Sequence, residues 1–577
     1  MVEIRHTKDF EEFSFDRQCE IVKQVPFVEK AELILRSEYP QAIVEQLGPE
    51  NFYIIANSAD KELLPDLLTF ANTDQLLFYT DFQCFEYDLV NEKKFEVWIK
   101  YLLDASDDKF LEWFFNMDFN FIVTAYKKLL RIIKTTPEEV MDEVLQDEQY
   151  FSIDFLYYIC IKESHDFDTI KHSLELLFEF KKSLYVNLME CIIGEIITET
   201  EEEAYLSHLE RLSESGFPEK DIAMSIYTPL TREEWLNVEK KHDKDISQAF
   251  KANIFAQDTE YLKPVIQSSD SLFIDDVLSY IFDRNSVLRD ELHAEIMGIT
   301  NKILALSMKK NYDLNEHELI RALNEAKGIL NISLILLTDM SITDSAEILS
   351  HYWLEHIFRR GFCELIIYRK KAHSLIKRFK PENIESMLCF FSSIYECTLR
   401  GLIRLSPLFH DPEYSDTLYN LRGFQTPRDI EITGKRLSAI ENILQVFSSM
   451  EDFNELFGSE LSLNMPEEEI TPQSVLFTGF ANYTLSKTFS ARPLDVSSVT
   501  SFFKMAFTID KNGKHKINTK TKKEFFNFFE SSYKEELPFV SSLLEESFKN
   551  ATDELERIDL SKAPDGRFIR SFCFFAK

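Results

Sequence analysis

The sequence predicts an all-α protein: an irregular helical-repeat, superhelical N-terminal region, a long-helix middle domain and a small, mostly helical C-terminal domain. Three observations predict it. Glycine and proline are scarce, 13 and 17 in 577 residues, well below the roughly 7% and 5% of average usage, and sheet-rich folds need more turns than that. Apolar residues recur at helical spacing along most of the chain. Hydrophobic residues make up 45%, including 51 Phe and 22 Tyr, enough to bury an ample core. The length exceeds one compact core, so several helical domains or a solenoid are required.

In chain order, residues 1–30 read as a leader or first helix. A helical-repeat region follows over 31–150. Pro40 to Leu47 opens with proline where a first turn tolerates it, and Gly48-Pro49 interrupts it. Asn51 to Asn57 is a short unit, and Lys61 to Phe70 places Leu63, Leu64, Leu67 and Leu68 on one stripe. Thr73 is the expected cap of the unit carrying Leu76 and Leu77. Helices follow over Glu92–Leu103 and Lys109–Phe115. The run Asn120 to Lys134 reads as a helix with a basic last turn, which suits the helix dipole.

Two capping boxes mark further starts, Thr136-Pro137-Glu138-Glu139 and Thr231-Arg232-Glu233-Glu234. Residues 151–250 are expected to be helical, with a long unit from Phe167 to Ile197 and a loop at Gly216-Phe217-Pro218. Long helices fill 251–465. A linker near Pro466 leads to a C-terminal unit over 471–577, where Phe507 to Ile517 reads as a hairpin turning at Asn512-Gly513.

The formal charge is −35, from 99 acidic and 64 basic residues. That field opposes nucleic acid and anionic lipid, and favours protein partners or cations. The eight cysteines form no CxxC and most sit in apolar runs, which predicts buried free thiols. No apolar signal core stands at Met1–Phe10, and no apolar run approaches about 18 residues. These features predict a cytoplasmic protein without a membrane span.

Catalytic and metal motifs fail on spacing. His351, Glu355 and His356 stand as His-x-x-x-Glu-His. On one helix His356 would lie about 140° round from His351, so zinc-peptidase geometry is excluded. Asp510-Lys-Asn-Gly513 puts glycine fourth and Thr521 twelfth, not the calcium-loop pattern. No phosphate-binding or dinucleotide-binding loop occurs. No catalytic, cofactor or metal residue is assigned.

The strongest anomaly is electrostatic. Arg359, Arg360, Arg369, Lys370, Lys371, Lys377, Arg378 and Lys380 crowd one predicted helix, 351–380, and between Arg359 and Lys380 only Glu364 opposes them. Leu354, Phe358, Phe362, Leu365, Tyr368, Ala372 and Leu375 form its apolar face. Three readings compete: pairing with acidic segments of the same chain, such as 199–203; binding an anionic protein or phosphorylated ligand; or touching nucleic acid or lipid. The runs Glu199–Glu203 and Glu467–Glu469 read as solvated charge.

The chain resembles a bacterial family of unknown function whose members are of similar length. The matching stretches are Ala31–Arg36 with Gln41–Val44, Gly216-Phe-Pro218 leading to Tyr227, Phe358-Arg-Arg-Gly-Phe362, and Phe480-Ala-Asn482. Short paired helices with Pro-Gln and Pro-Glu starts, at Pro40 and Pro49, are also similar to the helical superhelix of MgtE-type magnesium transporters. That likeness implies a regulatory or scaffolding superhelix sensitive to divalent cations, and no catalytic residue; CBS domains and a transmembrane region are missing here.

The resulting expectation is an interaction or regulatory scaffold that holds another protein through helical surfaces, with the cationic face as its contact. An enzyme whose site is assembled from distant segments, or a divalent-cation sensor, are the alternatives.

Overall fold

The structure, a computed structural model, describes residues 7–135, 150–162, 165–241, 271–307, 314–378, 384–391, 393–415, 419–457, 462–509, 514–556, 558, 565 and 568–575. The fold is predominantly all-α, with small sheets only. The chain divides into two compact units, Met1–Arg360 and Gly361–Lys577. The expected capping box at 136–139 lies outside the described residues.

Among the described residues, unit one opens with a short 3-10 helix, Thr7–Glu12, and then nine α-helices: α1 Phe15–Gln24, α2 Phe27–Arg36, α3 Pro40–Glu45, α4 Pro49–Ser58, α5 Leu64–Thr69, α6 Thr73–Gln83, α7 Glu92–Ala105, α8 Asp107–Asn116 and α9 Phe119–Leu129. Each is too short to bury its stripe alone, so alternate helices pack: α2 on α4, α4 on α6, α5 on α7. Buried polar groups set the register. Gln75 reaches from α6 to the carbonyls of Val44 at 2.9 Å and Leu47 at 2.8 Å, and Trp113 donates to Thr80 at 2.8 Å.

Several boundaries differ from expectation. Asn72, not Thr73, caps α6, accepting from Gln75 N at 3.0 Å in a reciprocal box. The unit expected over 61–70 starts only at Leu64, because Pro65 lacks the N–H and fits the first turn. The expected helix 120–134 ends at Leu129. Its last residues become strand β3, Leu130–Lys134, paired antiparallel with β5, Tyr157–Ile161. Both segments are rich in β-branched or aromatic residues that pack across a ladder. Strand β4, Tyr150–Phe151, joins on the far side of β5, so the start of the 151–250 segment is sheet rather than helix. A two-residue ladder pairs β1, Phe85–Glu86, with β2, Leu89–Val90.

The long unit at 167–197 is α10, Phe167–Gly194, broken at Lys181, followed by α11, Ile197–Glu214. Then come α12 Lys220–Met224, α13 Arg232–Trp235, α14 Phe273–Phe282, α15 Ser286–Ser307, α16 Glu316–Thr338, α17 Ile342–His351 and α18 Leu354–Lys377. The Thr231 box is present: Glu234 N donates to Thr231 Oγ1, and Glu234 Oε2 accepts from Thr231 N at 2.8 Å. Helix α11 lies across α9 and is locked to α6 by a buried network, in which Arg211 grips Asp81 at 2.8 and 2.7 Å and His208 meets it at 3.0 Å. Burial pushes the Asp81 carboxyl up, but hydrogen bonds from Arg211 and His208 outweigh that and hold it below its usual range.

The division between the units falls inside α18. Unit two continues with α19 Ile384–Phe390, α20 Ser393–Leu402, the β6–β7 hairpin (Leu408–His410 and Leu421–Gly423), α21 Pro427–Ser448, α22 Pro472–Ser486, α23 Val496–Ala506, α24 Thr519–Ser532 and α25 Leu537–Leu555. Its core is phenylalanine: Phe477, Phe480, Phe502, Phe525 and Phe548 meet edge-to-face around α22. Asn464 staples the chain end, donating to Ile569 O and Phe572 O and accepting from Phe574 N. The expected hairpin at 507–517 forms, β8 Phe507–Ile509 against β9 His515–Ile517; its Asn512-Gly513 turn lies outside the described residues.

Among the described residues no single helix is long and apolar enough to cross a membrane. The pair α16 and α17 comes nearest, bent by 116°, and Ile329, Leu330, Ile332 and Leu334 are buried within the fold. All eight cysteines are free, with Cys19, Cys84, Cys160 and Cys573 buried. Burial raises the Cys573 thiol to about 11, which leaves it protonated and unreactive at neutral pH.

Candidate functional site

The apolar face of α18 is core as expected, with Leu354, Phe358, Phe362, Leu365, Ala372 and Leu375 all buried and Tyr368 half-buried. The helix starts later than expected. His351 ends α17 and the chain turns at Tyr352–Trp353, so His351 and Glu355 occupy different helices. The His351 Nδ1 is bonded to the Glu347 carbonyl at 2.8 Å. At the far end, Lys380 and Pro381 lie outside the described residues.

The cationic residues of α18 divide by environment. Arg359 donates to the Thr228 carbonyl at 2.9 Å, and the Glu234 carboxyl is held low first by hydrogen bonds from Thr231 and then by Arg359. Arg360 is buried. Arg369 has its Nε enclosed without a hydrogen-bond partner among the described residues. Lys371 and Arg378 both pair with Glu441 of α21, at 2.8 and 3.2 Å. Lys370 and Lys377 are exposed, in line with exposed Ile367. The run 199–203 is engaged elsewhere: Glu201 pairs with Lys128, and Glu203 accepts from Asn120 at 2.8 Å. Internal pairing therefore accounts for part of the basic face, with Glu441 the acidic partner of Lys371 and Arg378.

A cavity of about 560 Å³ with mixed polar and apolar walls lies at the opening turn of α18, wholly within unit one. Three segments build it. Helix α11 ends with Gly216 at φ 83°, where Phe217 N bonds back to Leu212 O at 2.8 Å and Gly216 N to Ser213 O at 3.0 Å, a left-handed cap that glycine adopts without a Cβ clash. The Gly216 carbonyl accepts from Asn301 at 3.2 Å, pinning the loop to α15. Helix α15 contributes Glu295, Gly298, Ile299 and Lys302, the i, i+3, i+4, i+7 positions of one face. The third wall is Trp353, Glu355 and His356.

Charge on these walls is ordered. Lys302 pairs with Glu355 at 2.6 Å, and Ser225 donates to the other Glu355 oxygen at 3.2 Å. Glu295 pairs with the buried Lys241 ammonium and accepts from the Leu354 N–H at 2.7 Å. That ammonium also lies 4.9 Å above the Trp353 ring. Burial raises the Glu295 carboxyl, with Lys241 opposing, and burial also raises neighbouring Glu291. His356 is pushed down by burial and then by Arg359, so its imidazole is neutral at pH 7; its Nδ1 is enclosed and has no hydrogen-bond partner among the described residues. Among the described residues no group of three or more His, Cys, Asp or Glu could hold a metal ion.

Sequence reading singled out Glu355 and His356 only as a failed zinc pattern and missed Glu295 and Lys302. One signal was present: Gly298 interrupts a long helix, and a mid-helix glycine marks a close approach or a functional face. The Gly216-Phe217-Pro218 loop, noted for its resemblance, is the wall shared by this cavity and a second one of about 480 Å³ lined by Phe82, Tyr205 and Leu306.

The chain belongs to a family of unknown function, DUF6178, whose model matches residues 7–574. No curated protein and no solved structure matches it, so the likeness to the MgtE-type superhelix has no match behind it.

Proposed function

We propose that this protein is an interaction or regulatory scaffold that holds an acidic protein partner through the outward side of α18. The observation that carries the reading is the exposed stripe of Ile367, Lys370 and Lys377. It offers positive charge beside an apolar side chain in a chain whose net charge is −35. Charge complementarity speeds association and fixes register, while the apolar residue supplies contact area. The general acidity of the chain disfavours a nucleic acid in the same place.

The test captures partners from the native cell, then titrates the recovered protein, purified, against wild type and Lys370→Glu/Lys377→Glu. Binding weakened tenfold or more by the substitutions, and weakened by salt, supports the reading. A recovered partner that binds the variant equally well sinks it.

A second reading, an enzyme or ligand-binding protein with a site assembled from distant segments, is favoured by the cavity at the opening of α18. It combines a raised buried carboxyl, a neutral histidine and an ion pair in one enclosure, the pattern of functional sites.

A further inference from the structure

We infer that the cavity between α11, α15 and the first turn of α18 binds a small zwitterion of the free α-amino-acid class. Its volume, about 560 Å³, lies in the range of small-molecule sites and is too small for a folded partner. The choice of ligand follows from the wall charges. Lys302 and Glu355 stand 2.6 Å apart on facing segments, presenting one positive and one negative pole side by side.

Both poles keep unused hydrogen-bonding capacity. Lys302 makes one bond through an ammonium with three donors, and the Glu355 carboxylate has lone pairs beyond those taken by Lys302 and Ser225. A ligand with an amine and a carboxylate lies antiparallel to this pair and satisfies both poles. A simple anion meets Glu355 and Glu295, and a simple cation meets Lys302; each loses on one contact what it gains on the other. The absence of a three-donor cluster among the described residues argues against a bare divalent ion. Ile299 and Trp353 supply apolar wall for a side chain, and His356 completes the lining.

The experiment titrates the full chain with the twenty free amino acids, by calorimetry and thermal melting. For any that binds, two matched probes follow: its amide, which keeps only the positive charge, and its des-amino acid, which keeps only the negative one. At least one amino acid is expected to bind and raise the melting temperature, with both probes at least about tenfold weaker, the scale of one lost charge-assisted hydrogen bond. The variant Lys302→Met/Glu355→Gln removes both poles together and leaves no unpaired charge; it should melt near wild type and bind the amino acid at least tenfold more weakly. Should that variant misfold, Ser213→Trp at the cavity wall serves instead, with binding lost while the charges stay in place. Silence from all twenty amino acids overturns the inference. So does a probe that binds as well as the parent, or a folded variant that binds as tightly as wild type.

Discussion

The Glu295 carboxylate accepts a hydrogen bond from the backbone N–H of Leu354 at 2.7 Å, 59 residues along the chain. Helix α18 is thus capped by a side chain of α15 rather than by its own sequence. The same carboxylate pairs with Lys241, whose side chain is only 2% exposed. Removing one member of such a pair leaves a buried charge without a partner. Glu295→Ala should therefore cost about 3 kcal/mol in chemical denaturation. Lys241→Met/Glu295→Gln removes both charges and keeps an acceptor for Leu354, and should fall within roughly 1 kcal/mol of wild type. Equal losses in the two variants would refute the capping and pairing account.

A second buried carboxylate controls acid sensitivity. Asp81 is held below its usual range by Arg211 and His208 despite burial. A depressed carboxyl contributes stability that is present above its ordinary pKa, about 3.9, and lost as pH falls through the folded value. Asp81→Asn should cost about 2–3 kcal/mol at pH 7. Its stability should then fall less steeply than wild type as the pH drops below about 4. Parallel pH profiles for the two proteins would show that the network does not couple folding to this proton.

Close packing at glycine gives a sharper contrast. A Cβ on Gly401, in α20, would stand 2.4 Å from the Leu408 carbonyl oxygen, so the helix rests directly on the β6 strand. Gly401→Ala should cost roughly 1–3 kcal/mol, because a backbone atom cannot step aside. A Cβ on Gly194 meets nothing within 4 Å. Gly194→Ala should be neutral or stabilise by up to about 0.5 kcal/mol, since it limits the unfolded chain and favours helix. Denaturant midpoints for the two variants check both signs.

The helices were legible because their apolar spacing is local information. The core face of α18 could be read from Leu354 through Leu375, and the Thr231 box from four residues. What could not be read depends on distant partners. Leu130–Lys134 is helical or extended according to whether Tyr157–Ile161 is beside it, and only the fold brings it there. The start of α18 is set by Glu295, which no pattern near residue 354 announces. The cavity was illegible for the same reason: its charges come from residues 295, 302 and 355, which no sequence motif joins. The basic helix was visible as a composition, yet its division into paired and exposed cations depends on Glu441.

That division makes the seven described cations of α18 separable by experiment. Lys371 and Arg378 share Glu441, with Lys371 38% and Glu441 35% exposed, and the Lys371 hydrogen bond is the largest influence holding the Glu441 carboxyl low. Lys371→Glu would set two carboxylates together and remove a partly exposed pair, a loss of about 1 kcal/mol that shrinks in high salt. Lys370→Glu/Lys377→Glu touches no ion pair among the described residues and should stay within about 0.5 kcal/mol of wild type. Thermal melts at low and high salt distinguish the two cases. If Lys370→Glu/Lys377→Glu melts markedly lower, its positive charges serve the fold, and any loss of partner binding in that variant would no longer mark α18 as the contact.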